Sequence, residues 1–287
     1  AVFNEGWFDK HMPDLKVENP LVKKYLIQQS IWWILNFKID ALRIDTYAYP
    51  GLEFMQDWEI AMREEFEHLF IFSEIWEHGP GVQSFFNTGV NRNLANNKFK
   101  GTKYLTDFQF CFSVINACTQ GFGWTTGINS FYYTISQDYL YEDASKQVTF
   151  LDNHDVDRIY GILKQDYKKW RSAIPSILYG TEILMPYTGN HGVIRTDFPG
   201  GFKGDVVNKF NEEGRTDIEN QAFNHIKTLA GIRKEYISYA RLQHYLPNDG
   251  LYVFNWKKND KNLWVFMHFG DKYKKVNITE FKSTDQR

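Results

Sequence analysis

Cysteine is scarce in this chain: Cys111 and Cys118 are the only two among 287 residues. Their spacing matches neither a metal-binding motif nor a disulfide framework, and seven positions along a helix would separate them by about 10 Å. We therefore expect both to be small buried side chains. The sequence also lacks any run approaching ~18 apolar residues, so no membrane-spanning helix is predicted. A net charge of −2 gives no reason to expect nucleic acid or an anionic membrane as a partner.

Aromatic side chains, in contrast, are abundant. They make up 17% of the residues and include 9 Trp and 17 Tyr. Such a content serves either core packing or sugar binding, because flat rings stack on the apolar faces of pyranoses, and composition leaves both open. The length of 287 residues and a hydrophobic content of 43% predict a globular protein with a large core, built as one large domain or two unequal ones.

The first part of the chain alternates helices with short apolar strands. Asn19-Pro20 is a typical helix start, and it predicts a helix over 21–37, followed by a strand over 39–45. A helix over 53–68 then leads to a strand over 69–73. Further strands are predicted at 104–110, 147–151 and 174–179, and further helices at 111–119, 128–141, 157–172 and 216–236. This order is typical of βαβ units with a parallel sheet.

The pattern changes near residue 239. Short alternating segments separated by Asn-Asp-Gly and Asn-Asp-Lys turns predict antiparallel strands at 241–245, 250–256, 262–269 and 274–278. We therefore predict an α/β domain over residues 1–238 and an incomplete antiparallel β domain over 239–287.

Three carboxylates stand at the C-terminal ends of predicted parallel strands: Asp45, Glu74 and Asp155. In a (β/α) barrel, this end of the strands carries the active site. Arg43 lies two residues before Asp45, on the same side of the strand, and favours its ionised form. Glu74 has apolar neighbours, which favour the protonated acid. Two carboxyl groups in opposed protonation states are what retaining glycoside hydrolysis needs.

Each of these residues also has a structural explanation. Arg43–Asp45 and Glu74 could form strand-end ion pairs, Asp155 could cap the following helix, and His154 could be a hydrogen-bonded structural histidine. Their positions at successive strand ends favour the catalytic interpretation.

The same stretches resemble the motifs of the α-amylase family of glycoside hydrolases. Residues 41–45 (ALRID), 73–76 (SEIW) and 150–155 (FLDNHD) resemble its fourth-, fifth- and seventh-strand motifs. The other similar stretches are the family's short signature at 12–15 (MPDL), the eighth strand at 174–182 and the loop after it at 195–201. The resemblance runs from residue 1 to about 270. The sequences of residues 12–15 and 45–49 most resemble those of neopullulanase and cyclomaltodextrinase-like enzymes.

The resemblance implies three catalytic roles. Asp45 would be the nucleophile, Glu74 the acid/base, and Asp155 the residue that stabilises the transition state by gripping sugar hydroxyls. The implied reaction is retaining hydrolysis of α-glucosidic bonds in maltooligosaccharides, cyclodextrins or pullulan. Transglycosylation at the same site and non-catalytic glycan binding are the alternatives.

The resemblance also implies substrate-binding roles. Arg43 would orient the nucleophile, His154 would contact the sugar at the cleavage subsite, and Trp76 would contribute to substrate binding. No cofactor and no metal ligand is expected in this chain. Calcium, which family members often bind, would find its usual ligands largely elsewhere. The implied enzyme is bacterial, in either the periplasm or the cytoplasm.

Two of the chain's departures from the family pattern bear on the completeness of the barrel. The third-strand motif is absent, so we expect strands four to eight of a TIM (β/α)₈ barrel, followed by a partial antiparallel β domain. The interval from Asp155 to Pro175 is short for a helix plus a strand. Because part of a barrel exposes sheet edges and apolar surface, we expect the chain to be inactive alone and to need the missing barrel half or a second copy as partner.

Overall fold

The computed structural model describes residues 7, 9–88, 101–173, 179–236, 241–258, 261–270 and 273–282. The first elements are helix α1 (Pro20–Phe37), strand β1 (Ala41–Ile44), helix α2 (Leu52–Glu65), strand β2 (Phe70–Ser73) and helix α3 (Pro80–Phe85). Asn19 begins α1 as predicted, because its side chain accepts a hydrogen bond from the Leu21 amide at 3.0 Å and Pro20 takes the first helical position.

A row of parallel strands forms the scaffold of the site. Strands β1 and β2 pair in parallel, with Ile44 opposite Ser73. Strand β3 (Thr106–Asp107) lies next to β2 through a parallel bridge between Ser73 and Leu105, and it pairs in parallel with strand β4 (Val148–Thr149). The predicted parallel arrangement is confirmed for these four strands, whose C-terminal ends therefore face the same edge.

Six α-helices lie between β3 and residue 236 in the described part of the chain. They are α4 (Phe108–Thr119), α5 (Ile128–Ile135), α6 (Ile159–Ile162), α7 (Tyr167–Ser172), α8 (His191–Ile194) and α9 (Asp217–Tyr236). Short 3-10 helices lie at Asp138–Leu140, Ala144–Lys146, Thr181–Ile183 and Glu212–Gly214. In the described ranges, no helix combines the length and the apolarity needed to cross a membrane.

Three antiparallel strands form a sheet in the last part of the chain. It consists of β5 (Arg241–Asn248), β6 (Leu251–Lys258) and β7 (Lys261–His268), in that order, and helix α10 (Thr279–Lys282) follows. The inner side of this sheet packs on α4 and α5: Tyr252 and Phe254 share one buried cluster with Val114 and Phe131. The predicted domain boundary at 238 and 239 lies outside the described residues.

Three sequence predictions between residues 104 and 151 were wrong in extent. The strand predicted over 104–110 is limited to β3, because the Asp107 carboxylate accepts a hydrogen bond from the Phe110 amide at 2.9 Å and starts α4 there. The strand predicted over 147–151 is limited to β4, and the helix predicted over 128–141 ends at Ile135.

Other predictions failed further along the chain. The helix predicted over 157–172 is split into α6 and α7, because Lys164 and Gln165 adopt left-handed conformations (φ 53° and 60°) and Asp166 caps a new helix. The strand predicted at 274–278 is irregular chain. Of the strand predicted at 174–179, residues 174–178 lie outside the described part of the chain.

Both cysteines are free and buried, as predicted. Burial raises the thiol pKa of Cys111, and that of Cys118 to about 12, so neither is a reactive thiol at neutral pH.

Helix α1 carries apolar side chains on more than one face. One face, with Ile27, Ile31 and Ile34, joins the cluster around β1, β2 and α2. A second face is exposed and carries Leu21, Tyr25, Trp32 and Leu35. A helix that is apolar all round is normally covered on every side, whereas only one side of α1 is covered by described residues.

Candidate active site

Asp45 and Glu74 directly follow β1 and β2, and the register of these strands places them at adjacent strand ends. The Glu74 side chain is buried, with 7% exposed, whereas that of Asp45 is 65% exposed. Between them, Thr46 adopts a left-handed conformation (φ 47°) and donates its amide hydrogen to Glu74 Oε2 at 3.0 Å. This conformation is unfavourable for a β-branched residue, so the surrounding turn must stabilise it.

The guanidinium of Arg43 joins the three predicted carboxylates. It donates to Asp45 Oδ1 at 2.8 Å and to Glu74 Oε1 at 2.7 Å, and it lies 3.6 Å from Asp155 Oδ2. Arg43 and Asp45 therefore lie on the same side of the chain, as their spacing predicted. The contact with Glu74 was not predicted.

Glu74 has the environment of a general acid. Burial raises the pKa of its carboxyl group, and the charges of Asp45 and Asp155 raise it further. The Thr46 amide and the Arg43 guanidinium act in the opposite direction without reversing the shift. A raised pKa keeps more of the protonated form near neutral pH, as proton donation to a leaving group requires.

Asp155 is held by a turn and does not cap a helix. The Asn153 side chain accepts a hydrogen bond from the Asp155 amide at 2.8 Å, which fixes a tight turn. It is Asp152 that accepts from the Ile159 amide, at 2.9 Å, where α6 begins. The Asp155 carboxylate contacts His154 Nε2 through Oδ2 at 2.9 Å. Burial lowers the pKa of His154, and the opposing charge of Asp155 only partly offsets this.

Two further basic residues lie at the site, and no role was predicted for them from the sequence. Arg195 donates to Asp155 Oδ1 at 2.7 Å and to the His154 carbonyl oxygen at 2.9 Å, and it lies 2.8 Å from His191 Nδ1. His191 and Arg195 are four residues apart at the two ends of α8, after the cap Asn190. A helix cap followed by basic residues at this spacing was the available signal, because such residues share a helix face.

A buried ion pair places α8 against the Asp155 turn. Arg158 contacts Asp152 Oδ1 at 3.2 Å, and both side chains are 2% exposed. The same guanidinium donates to the carbonyl oxygens of Tyr179 and Ile194, at 2.7 Å and 3.2 Å. It thus connects three chain segments and fixes the end of α8 next to Asp155.

The predicted residues come together around one cavity of about 700 Å³. Its lining includes Asp45, Glu74, Trp76, His154 and Asp155, together with Met12, Thr46, Ala48, Tyr49, His191 and Arg195. Arg43 reaches the same carboxylates by the contacts given above. The Trp76 ring stacks on Phe108 at 4.3 Å and is 41% exposed, which suits a platform for a sugar ring. Another cavity of similar volume, between α7 and α9, is lined mainly by exposed polar side chains.

Comparison with known proteins shows the family of this chain. Residues 3–192 match the family described as "Alpha amylase, catalytic domain". The chain belongs to the α-amylase family. Its fold is that of the family's catalytic domain, a TIM barrel, and an alpha-amylase from Geobacillus thermoleovorans complexed with acarbose superposes on 91% of the chain with a TM-score of 0.70 and 22% identity.

Curated α-amylase family relatives share about a quarter of the sequence. An alpha-amylase from Niallia circulans is 26% identical over 260 residues, and a cyclomaltodextrin glucanotransferase from Paenibacillus macerans is 27% identical over 256 residues; each alignment covers 86% of this chain. The chain spans 43% of the first relative, 32% of the second and 55% of the Geobacillus structure.

The α-amylase resemblance left calcium open, and calcium also binds carbonyl and amide oxygens. Within the described ranges, no three His, Cys, Asp or Glu side chains converge so as to hold a metal ion.

The buried Asp152–Arg158 pair predicts a large stability effect. Asp152→Ala should lower the free energy of unfolding of the full-length protein by about 3–5 kcal/mol, because it leaves the Arg158 charge buried without its partner. The check is the urea unfolding midpoint. Lys274→Gln, which breaks the exposed pair with Asp249, should change the free energy by less than about 1 kcal/mol. Equal effects of the two substitutions would contradict this role.

Proposed function

We propose that this chain carries the catalytic residues of a retaining glycoside hydrolase that cleaves α-glucosidic bonds in starch-derived glucans. The observation that carries the proposal is the cluster in which Arg43 contacts Asp45, Glu74 and Asp155 at one strand edge. The names of the relatives, an alpha-amylase and a cyclomaltodextrin glucanotransferase, support the substrate class.

In the proposed reaction, Asp45 attacks the anomeric carbon while the bond to the leaving oxygen breaks. Glu74 gives its proton to that oxygen, and a glycosyl ester forms on Asp45. The ionised Glu74 then takes a proton from water, whose oxygen attacks the anomeric carbon and releases Asp45. The two inversions give overall retention. The exposed Asp45 and the buried Glu74 suit these different roles.

The remaining residues would hold the sugar and the nucleophile. Arg43 would keep Asp45 oriented by its 2.8 Å hydrogen bond. Asp155 and His154 would grip hydroxyl groups of the distorted sugar, and Trp76 would stack on a neighbouring ring. The proposed chemistry uses carboxyl groups alone and needs no cofactor.

Configuration of the product tests this proposal. Proton NMR of maltooligosaccharide digests by the full-length protein should show the α-anomer first. An initial β-anomer would mean inversion and would exclude the double displacement.

Transfer to a sugar hydroxyl is a second candidate function, favoured by the similarity to a glucanotransferase. The same glycosyl ester serves both reactions, and the acceptor decides between them. Chromatography separates the two, since transfer gives products longer than the substrate. The retention of Asp45, Glu74 and Asp155 in one cavity argues against a non-catalytic glycan-binding role.

The amino-acid sequence of residues 12–15 and 45–49 supports a neopullulanase-like branch within the family.

We further propose that the chain forms strands four to eight of the barrel, with a partial β domain after it. The exposed apolar face of α1 supports a partner, either the rest of a barrel or a second copy. The share of the relatives' length that the chain covers, 32% to 43%, also supports this view.

The 287-residue chain alone is expected to be inactive on maltooligosaccharides and to self-associate, because the outer face of α1 would be open to water. Size-exclusion chromatography with light scattering and a reducing-sugar assay check this. Trp32→Glu should reduce the self-association. Lys24→Gln on the same helix, which changes the charge by the same −1, is the control and should not. A monomeric chain with robust activity would contradict the proposal.

A further inference from the structure

The contacts of Arg195 point to a role for α8 in the reaction. We propose that Arg195 is a positioning residue that holds the Asp155 carboxylate for glycosyl transfer, and that His191 in turn holds Arg195. This inference rests on the proposed function and adds two residues to it.

Arg195 donates two hydrogen bonds to the turn that carries Asp155. Its Nε donates to the His154 carbonyl oxygen at 2.9 Å, and a terminal nitrogen donates to Asp155 Oδ1 at 2.7 Å. Because the guanidinium is planar and rigid, two such bonds fix its plane relative to both the backbone and the carboxylate. A lysine could satisfy only one of them with the same geometry.

His191 fixes the other side of the guanidinium. Its Nδ1 lies 2.8 Å from the Arg195 nitrogen that also contacts Asp155. Since arginine can only donate, Nδ1 is the acceptor in this hydrogen bond. His191 Nδ1 is 3.9 Å from Asp155 Oδ1, beyond hydrogen-bond distance, so His191 acts on Asp155 through Arg195.

The two oxygens of Asp155 are held by different groups. Oδ1 receives the Arg195 hydrogen bond, whereas Oδ2 faces His154 Nε2 at 2.9 Å and Arg43 at 3.6 Å. Without Arg195, the carboxylate would be free to turn toward Arg43, which is already shared with Asp45 and Glu74. Displacement of a catalytic group by about 1 Å can cost on the order of 10²-fold in rate.

The charges at the site lead to the same conclusion. Asp45, Glu74 and Asp155 carry three carboxyl groups, and Arg43 and Arg195 supply two guanidinium charges. With Glu74 protonated as the acid, the remaining charges balance. Loss of Arg195 would leave two carboxylates on Arg43 alone.

Kinetics of the full-length protein separate positioning from plain substrate binding. Arg195→Gln should lower kcat by about 10²-fold and change KM by less than about threefold. Guanidinium chloride at millimolar concentration should restore part of the kcat of Arg195→Ala. The matched control is Arg171→Gln, an exposed arginine of α7, which should keep wild-type kcat. A raised KM with unchanged kcat would overturn the proposal, because Arg195 would then only bind sugar.

Substitutions at His191 test the second part. His191→Asn keeps an acceptor for Arg195 and should retain more than half of the wild-type kcat. His191→Phe keeps a ring without the acceptor and should lose about tenfold. Equal activity of the two variants would remove His191 from the proposal.

Titration of His154 by NMR gives a readout that does not depend on turnover. The groups that face this ring are Asp155 and Asp45, which raise its pKa, and Arg43 and Arg195, which lower it. Arg195→Gln should therefore raise the pKa of His154, whereas Arg171→Gln should leave it unchanged. An unshifted His154 would contradict the Arg195 contact itself. Full turnover by Asp45→Asn would instead contradict the proposed function.

Discussion

Asp45→Asn in the full-length protein should lower kcat for maltooligosaccharide hydrolysis by on the order of 10⁴-fold or more. The amide cannot form the glycosyl ester, and the Arg43 hydrogen bond to Oδ1 would still hold the side chain in place. The loss should therefore appear in kcat with little change in KM. Initial rates with maltotetraose, measured from released reducing ends, check this.

Asp40 provides a matched control for the loss of one carboxylate. It is exposed and lies just before β1, at the opposite end of the strand from Asp45. Asp40→Asn should keep wild-type kcat. Turnover by Asp45→Asn within tenfold of the wild-type rate would exclude Asp45 as the nucleophile.

The second large effect is expected at Glu74. Glu74→Gln should lower kcat for maltooligosaccharides by on the order of 10³-fold, because the variant has no proton to donate to the leaving oxygen. A glycosyl fluoride needs no such proton, so its first turnover should be nearly unaffected. Glu53→Gln, at the exposed start of α2, should behave as wild type.

The pH dependence of wild type follows from the same carboxyl group. Only protonated Glu74 can act as the acid, so kcat/KM should fall as pH rises through its pKa. Because burial raises that pKa, the fall should occur at higher pH than for an ordinary glutamate. The fall of kcat/KM at high pH, the alkaline limb of the pH profile, should be absent in Glu74→Gln. An unchanged alkaline limb in this variant would mean that another group causes the fall.

A substitution at Arg43 gives a second test of the assignment of the alkaline limb to Glu74. The charge of Arg43 lowers the pKa of Glu74, so Arg43→Gln should move the alkaline limb to higher pH in addition to lowering kcat.

Much of the parallel scaffold could be predicted from the sequence. The Asn19-Pro20 start of α1 and the apolar runs of β1 and β2 carry strong local signals, and the structure confirms them. Strands β3 and β4 are shorter than predicted, since a side-chain cap at Asp107 overrides the apolar pattern that continues into α4. The left-handed residues Lys164 and Gln165 had no local signal, because neither glycine nor asparagine stands there.

The candidate site could be predicted in part. The predicted strand ends and the charge spacing indicated that Asp45, Glu74 and Asp155 lie close together. The structure places all three around Arg43. No role was predicted for Arg195 because its position depends on the buried Arg158, which links segments far apart in the chain. Local patterns do not carry such long-range contacts.

The most direct test of the proposed mechanism is to trap the glycosyl ester. Full-length protein with Glu74→Gln is mixed with α-maltosyl fluoride, quenched in acid, digested and analysed by mass spectrometry. Without its acid/base, the variant should form the ester faster than water removes it. We predict a maltosyl adduct on the peptide that contains Asp45, located on Asp45 by fragmentation. An adduct on Asp155, or inverted product without an adduct, would contradict the account.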